Sequence, residues 1–499
     1  MRKYISNGVV RNILMPVFLI CGLAAGDFLI AGGAKNQDGA VIAPSPEGFV
    51  ALWHGVDSAN YYRVHSGKIN LTGEVSSLDG WFDSLGLPRL GVVRALAPVS
   101  NGHYYFGWFA HDKGTSSSGF THRLTSVQWT GGSLSIAATQ TNWNPAISMS
   151  GPFATNGKTW AYYTRIIGVG RQSGEKVYLS FMGTTGIDTL KTIQVYGWGA
   201  DLAYGSGYYL SVNRGRLSDG GRLFAYRFND STFERIDSSM IYDASLNVLS
   251  SPALAAGKNG FLLVYSEDAG PEQIRLKARL LSGTGTLTVG NAFDVTPALS
   301  DKRDQIVPVV GYDSLTDQYL VVWQQGSPYM NSLETDVYGA RIDGQGQLVD
   351  NTPISICTAP NSQEKPHLAY NDGNFLVTWN DLRNGYDWDV YGAILTKDMV
   401  TSEKVSVAHS LFTLNTAFPN PFGDNTAISF SVPLDGKVSV QIYTLQGKLV
   451  RTLVNNVVAK GMHSVSLSAK GDSPLPANVY LCRMRGVGFE KTVRLLKLK

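Results

Sequence analysis

The apolar positions of residues 40–410 fall in short β-branched and aromatic runs between clusters of Gly, Asn and Asp, and almost no window shows the 3.6-residue hydrophobic period of a helix. The clearest case is residues 366–395, PHLAYNDGNFLVTWNDLRNGYDWDVYGAIL. Residues 375–379 (FLVTW) read as one strand, introduced by the turn Asn371-Asp372-Gly373, and residues 390–395 (VYGAIL) as a second. A polar loop carrying Asp381, Arg383, Asp387 and Asp389 lies between them.

The unit recurs. Residues 308–312 open the same pattern, YLVVW (319–323) matches FLVTW, and DVYGA (336–340) repeats. Pro252 opens another copy, with FLLVY at 261–265 and a strand at 274–281. Weaker copies pair 201–212 with 222–228 and 156–164 with 176–183, and residues 101–108 and 47–53 complete the set. A turn glycine precedes each first strand, at Gly48, Gly102, Gly157, Gly207, Gly260 and Gly373, while the sixth copy has Asp317-Gln318 instead. A near-constant period of this length with several strands per unit predicts propeller blades rather than a helical solenoid. The expected architecture is all-β: a seven-bladed β-propeller over residues 41–408, with 405–409 either its last strand, closing the ring, or a linker, then a small Ig-like β-sandwich at 411–499. The sandwich strands are expected at 427–432, 437–445, 448–454, 461–468, 478–485 and 489–498.

Composition narrows the function classes. With 16% charged residues, a net charge of +3 and no long basic run, the chain lacks the footprint of a nucleic-acid binder. Its 499 residues can bury a core without disulfide staples. Cys21, Cys357 and Cys482 fall in different segments and have no zinc-ligand spacing. Residues 1–30 read as an export signal: Arg2, Lys3 and Arg11 precede or flank an apolar stretch at 13–25 too short to anchor. Cleavage is expected at Ala24-Ala25-Gly26 or Ala31-Gly32-Gly33, and Cys21 lacks the small preceding residue of a lipoprotein signal. No other stretch is long enough for a membrane helix.

The last segment carries a collinear set of motifs: Phe418-Pro419-Asn420-Pro421-Phe422, then Val432-Pro433-Leu434-Asp435-Gly436-Lys437, Ile442-Tyr443-Thr444-Leu445-Gln446-Gly447, Asn478-Val479-Tyr480, and a basic apolar end, KTVRLLKLK (491–499). It resembles the type A C-terminal sorting domain of cargo exported by the type IX (Por) secretion system. Gly423-Asp424 and Asn478 depart from the family's usual residues. The resemblance implies that 411–499 engages the type IX machinery, that the sorting motif includes Pro419, Asn420, Pro421, Phe422, Gly447 and Tyr480, and that the protein is secreted or held on the outer surface of a Gram-negative-type bacterium. The repeats resemble bacterial surface β-propeller repeats, which implies a fold and no activity.

Candidate chemistry sits just after the first strand of several repeats: His54 with Asp57, His111 with Asp112, Glu267 with Asp268, and Asp381 with Arg383. If these strand ends share a rim, carboxylates and imidazoles there suit a sugar, a cation, or hydrolysis by a carboxylate pair. Against this, Asp and Asn make turns, and Arg383 has carboxylates at hand to pair with. Asp381, Asp387 and Asp389 give a calcium reading, weakened by Arg383 and by the absence of a DxDxDG pattern. No GxSxG, HExxH or sialidase Asp-box is present. Trp53, Trp108, Tyr265, Trp323 and Trp379 recur at one repeat position and read as packing, whereas Tyr386 and Trp388 lie in a polar loop and suit a binding surface. The preferred reading is a binding protein for a glycan or another protein. The alternatives are a polysaccharide hydrolase or lyase and a structural surface component.

Overall fold

The structure is a computed structural model. It describes residues 27–498 with interruptions, the longest at 78–90, 112–119, 167–175, 242–251 and 397–412, and over 91–148 it describes the backbone but few side chains. The described residues are strands and connections with no helix.

The repeat region folds as a series of antiparallel meanders, consecutive strands pairing except that Ile147–Ser148 and Phe153–Thr155 both pair with Thr159–Ile166. The sheets span residues 37–77, 91–142, 147–195, 198–241, 253–294, 305–357 and 363–396. The first strand of each sheet packs on the first strand of the next, and Gln363–Asn371 of the last sheet returns to pack on Gln37–Ser45 of the first. The arrangement is therefore a ring, propeller-like, with first strands innermost.

The sequence explains this packing. In the first, fourth, fifth, sixth and seventh sheets the second strand is buried on both faces, so it reads as a continuous apolar run. Along Gln318–Gln325, Tyr319, Val321 and Trp323 enter a core with Leu262, Val264 and Leu276 of the preceding sheet. Leu320 and Val322, on the opposite face, enter a core with Phe375, Val377 and Trp379 of the following one. The recurring aromatic position is thus packing, as expected: Trp53, Tyr265, Trp323 and Trp379 are buried.

Each innermost strand is a strand that the sequence pattern does not reveal. Proline interrupts two of them, and the ladder slips by a bulge between Ile306 and Val309 and between Glu364 and His367, around Pro308 and Pro366. Proline is tolerated in a sheet at such bulges. The residues before these prolines, Val307 and Lys365, hold left-handed φ angles of 52° and 53°, and Gly39 in the matching bulge of the first sheet holds 66°. The bulge amides are met by side chains from the preceding sheet: Lys365 N–H donates to Gln324 Oε1 (3.3 Å) and Gly39 N–H to Asn380 Oδ1 (3.1 Å). The missing turn glycine of the sixth repeat is also explained, since Asp317 takes φ 55° itself, and Asp tolerates that region better than most side chains.

Ring closure differs from the expectation. Residues 405–409 lie outside the described residues, and the fourth strand of the last sheet is Phe28–Ala31, pairing antiparallel with Asp389–Thr396 in the order Phe28–Ala31, Asp389–Thr396, Asn374–Asp381, Gln363–Asn371. Ile30 and Ala31 are buried with Val390 and Ile394. The segment tied to the ring thus begins ahead of residue 41.

The C-terminal segment forms a three-stranded sheet (Thr413–Leu414, Asn425–Val432, Gly461–Ser468) and a four-stranded one (Leu449–Val458, Gly436–Thr444, Asn478–Gly486, Phe489–Lys497) around one core that includes Phe422, Phe430, Ile442 and Tyr480. The strands fall within a few residues of their expected positions.

A chain that starts at Asp27 should melt cooperatively, whereas one that starts at Gln37 loses the closing strand and its two buried side chains, at about 1.5–3 kcal/mol for the burial of a side chain such as Ile30. Chemical denaturation of the two chains measures the difference. Equal midpoints would show that Phe28–Ala31 does not close the ring.

Candidate functional site

The loop after Asn374–Asp381 gathers a set of bonded polar side chains at the seam of the ring. Asp381 is fully buried. Its Oδ2 accepts the Trp379 indole N–H (2.8 Å), the same arrangement in which Gln325 Oε1 accepts from Trp323 (2.8 Å) one sheet earlier. Arg383 folds back on it, donating Nε–H to Asp381 Oδ1 (2.9 Å) and Nη2–H to Oδ2 (2.6 Å), and its backbone N–H also reaches Oδ1 (2.8 Å). The same Nη2 reaches Asp27 Oδ2, at 2.5 Å, across 356 residues of chain. The guanidinium lies over the Tyr391 ring, 3.7 Å from its centroid. Burial works against its charge, but Asp381 and Asp27 outweigh burial and hold its pKa above the ordinary value. The Cys357 thiol, 3.3 Å from Nη2, is pushed up by burial and by Asp27, so it stays protonated.

The rest of the loop continues the seam. Asn384 Oδ1 accepts the N–H groups of Tyr386 (2.8 Å) and Asp387 (3.0 Å), and its Nδ2 donates to Asp389 (3.0 Å). Trp388 N–H donates to Asn36 Oδ1 (2.9 Å), and Gln37 N–H to the Trp388 carbonyl (2.6 Å). Trp388 is half-buried, whereas Tyr386 is 90% exposed at the tip.

His54, Glu267 and Asp381 lie at or near the ends of the second strands of their sheets. Asp381 and Arg383 are bonded to each other, and Arg383 also to Asp27. His54 is buried in the first sheet and paired with Asp38, its cross-strand neighbour. Glu267 is buried, and Asp268 ends its strand exposed. Asp57 and Asp112 lie outside the described residues, and of His111 only the backbone, at the end of His103–His111, is described. Among the described residues no group of three His, Cys, Asp or Glu is placed to hold a metal ion, and Asp381 and Asp389 are engaged as above.

Two titratable groups on innermost strands escaped the sequence reading. Asp201, in Trp198–Gly205, has its carboxyl raised to about 7 by burial, against the pull of N–H groups from Leu202 (2.8 Å) and Leu254 (2.7 Å). His367, in Gln363–Asn371, is lowered to about 4 by burial, with Lys365 adding to it. Neither has a motif around it, because burial of an isolated charge is a property of the ring.

In the C-terminal segment the PNPF motif has a physical role. Asn420 Nδ2 donates to the Arg494 carbonyl (2.9 Å), and its Oδ1 accepts Leu496 N–H (2.8 Å). Phe422 is buried, donates N–H to the Leu496 carbonyl (2.9 Å) and accepts from Leu498 N–H (2.9 Å). Pro419 is exposed, and its carbonyl accepts from Thr426 Oγ1 (2.7 Å). Pro421 is exposed too, and buried Tyr480 donates its hydroxyl to the Pro476 carbonyl (2.9 Å). The motif thus fastens the start of the domain to its basic last strand. Gly447 lies outside the described residues.

Residues 416–495 match the family described as the secretion system C-terminal sorting domain. This segment is a type IX sorting domain, and the chain is secreted or placed on the outer cell surface. No curated protein matches the chain. Among solved structures it is similar to an acylaminoacyl peptidase of Pyrococcus horikoshii, at 9% identity and a TM-score of 0.44, covering 80% of this chain and 58% of the peptidase, so it spans little over half of that protein. It is similar to the six-bladed fucose-recognising lectin of Aleuria aurantia (9%, TM-score 0.35, 66% and 99%). It is also similar to an ulvan lyase of polysaccharide lyase family PL25 (11%, TM-score 0.43, 74% and 96%). These likenesses carry no argument about activity.

Removing one partner of a buried charge pair costs about 3–5 kcal/mol. Arg383→Ala should therefore destabilise the protein by about that amount, leaving Asp381 charged and enclosed, and denaturant midpoints will read it. A loss below about 1 kcal/mol would mean that the seam does not depend on this pair. His367 and Asp201 act in opposite directions with pH. His367 has a folded pKa below its unfolded 6.5, so its contribution is present above about 6.5 and is lost as pH falls toward about 4. Asp201 is raised from 3.8, so its contribution is present below about 4 and is lost as pH rises through about 7. His367→Gln should remove an acid-side fall in stability between those limits, and Asp201→Asn the opposing slope, in melts taken across pH 4–8.

Proposed function

We propose that the chain is an exported binding protein: a propeller of seven blades over the repeat region, an Ig-like sorting sandwich at 411–499, and a leader within residues 1–30 that is removed on export. The blade count is supported by the closed circuit of innermost strands and by the seven near-evenly spaced turns that introduce the second strands. Removal at Ala24-Ala25-Gly26 is favoured over Ala31-Gly32-Gly33, because the later position would cost the ring Phe28–Ala31.

The bound partner is a glycan or a protein, engaged through rim loops, and Tyr386 and Trp388 are the side chains offered for it. The observation that carries binding over catalysis is the fate of the candidate catalytic charges. Asp381 and Arg383 neutralise each other inside the seam, and His54 is paired and buried. A hydrolase needs such groups free to reach a substrate. An exposed aromatic on a loop fixed by Asn384 is a low-entropy contact of the kind that binding surfaces use.

The test uses the whole exported chain on a glycan array, with and without calcium, and with product analysis of any hit. Binding without turnover, with at least one hit weakened about tenfold in Tyr386→Ala, is the expected outcome. Turnover would replace this reading with a hydrolase or lyase, and self-association without any ligand would point to a structural surface component. Deleting 411–499 should leave the chain inside the outer membrane in a cell fractionation, with the repeat region still folded.

A further inference from the structure

A second place on the ring, far in sequence from Tyr386, has the form of a ligand site. A cleft of about 610 Å³ opens between the fifth sheet (253–294) and the sixth (305–357). That volume falls within the roughly 300–1,000 Å³ of small-ligand sites.

One wall is the third strand of the fifth sheet, Ile274–Ser282, with the segment that follows it to Thr296. The other wall is the turn after Asp336–Asp343 in the sixth sheet. This turn is firmly set. Asp343 Oδ1 accepts the N–H groups of Gln345 (2.9 Å) and Gln347 (2.8 Å), and Gly346 N–H donates to the Asp343 carbonyl (3.0 Å). Gly346 holds φ at 84° and presses against the first wall: a Cβ there would lie 3.1 Å from Leu280 Cδ1 and 3.3 Å from Phe293 Cε1. A side chain at 346 would be strained at this φ and would need Leu280 and Phe293 to give way.

The chemistry of the lining is uniform. Leu280, Phe293 and Leu348 supply an apolar floor. Above it stand three exposed carboxamides, Asn291, Gln345 and Gln347, whose side chains make no hydrogen bond among the described residues. The one carboxylate of the cleft, Asp294, is held by Lys277 at 2.8 Å, so the pair adds no net charge. Each carboxamide offers both a donor and an acceptor without charge. A ligand that fits must present donors and acceptors around its edge and C–H groups on its face, and must itself be uncharged. A pyranose ring has that pattern, whereas an anionic sugar would find no uncommitted cation here.

We propose that this cleft is a binding site for a neutral saccharide, with Asn291 and Gln347 reaching the hydroxyls from opposite walls and Phe293 under the ring. The assignment rests on the glycan-binding reading above and adds a place and a ligand class to it.

The test measures binding of neutral trisaccharides of glucose, mannose, galactose, xylose and N-acetylglucosamine to the whole exported chain, by saturation-transfer NMR and calorimetry, with oligogalacturonate as the charged control. At least one neutral trisaccharide should bind. The Asn291→Ala/Gln347→Ala variant should bind it at least about tenfold more weakly, the loss expected for two amide hydrogen bonds. Its melting temperature should not move, since both side chains are exposed and unbonded, and Tyr386→Ala should leave this binding intact. Undiminished binding in the double variant, with loss in Tyr386→Ala, would overturn the cleft and leave glycan binding at the rim. Binding of oligogalacturonate alone would overturn the neutral-ligand class. No binding of any saccharide to the unmodified chain would remove the cleft assignment and the glycan reading together.

Discussion

The seam where the last sheet meets the first is sealed by Arg383, which Asp381 and Asp27 share from opposite ends of the repeat region. Arg383 is held by Asp381, which Trp379 in turn holds from the core between the last two sheets. The strand that follows Asp27 then adds itself to the last sheet and buries Ile30 and Ala31. A partly buried guanidinium shared by two carboxylates is stable only if both stay in place. That makes the seam an all-or-none joint rather than a loose edge. Open sheet edges invite pairing with other chains, and the short strand Phe28–Ala31 covers much of the longer edge of Asp389–Thr396.

The sheets between the two halves of the joint must turn through a fixed angle, and the bulges of the innermost strands contribute to this. Val307 is β-branched and still sits at positive φ, a placement that costs energy wherever it occurs. It sits in the bulge beside Pro308, with its own side chain exposed. Gln324 and Asn380 then satisfy bulge amides from the neighbouring sheet. Curvature and inter-sheet hydrogen bonding are thus produced at the same residues.

Much of this was legible in the sequence, for identifiable reasons. The runs FLLVY, YLVVW and FLVTW are buried on both faces, so their apolar character survives in every copy. The sorting segment was legible because Asn420 and Phe422 bond to backbone of the last strand, which fixes residue types at both ends. The innermost strands were obscured by proline and by bulges that break the two-residue rhythm. Phe28–Ala31 was hidden just behind the apolar stretch at 13–25. Asp381 and Arg383 stood out as charges, but their partner Asp27 is 356 residues away, and no local pattern reports such a pairing. The cleft left no trace either, because Asn291 and Gln347 come from neighbouring repeats and neither belongs to a motif.

The order of assembly follows from where the closing strand lies. Phe28–Ala31 emerges first in any passage that begins at the N-terminus, and its partner Asp389–Thr396 emerges after every other sheet. Bringing ends together across that length of flexible chain carries an entropic cost of about 5 kcal/mol, which falls as the intervening sheets stack and hold their ends in an arc. The first strand therefore waits, unpaired, for the whole ring to be threaded. A protein built this way closes its ring only in a compartment that already holds everything from Phe28–Ala31 to Asp389–Thr396, because until the last sheet is present there is nothing for its beginning to join.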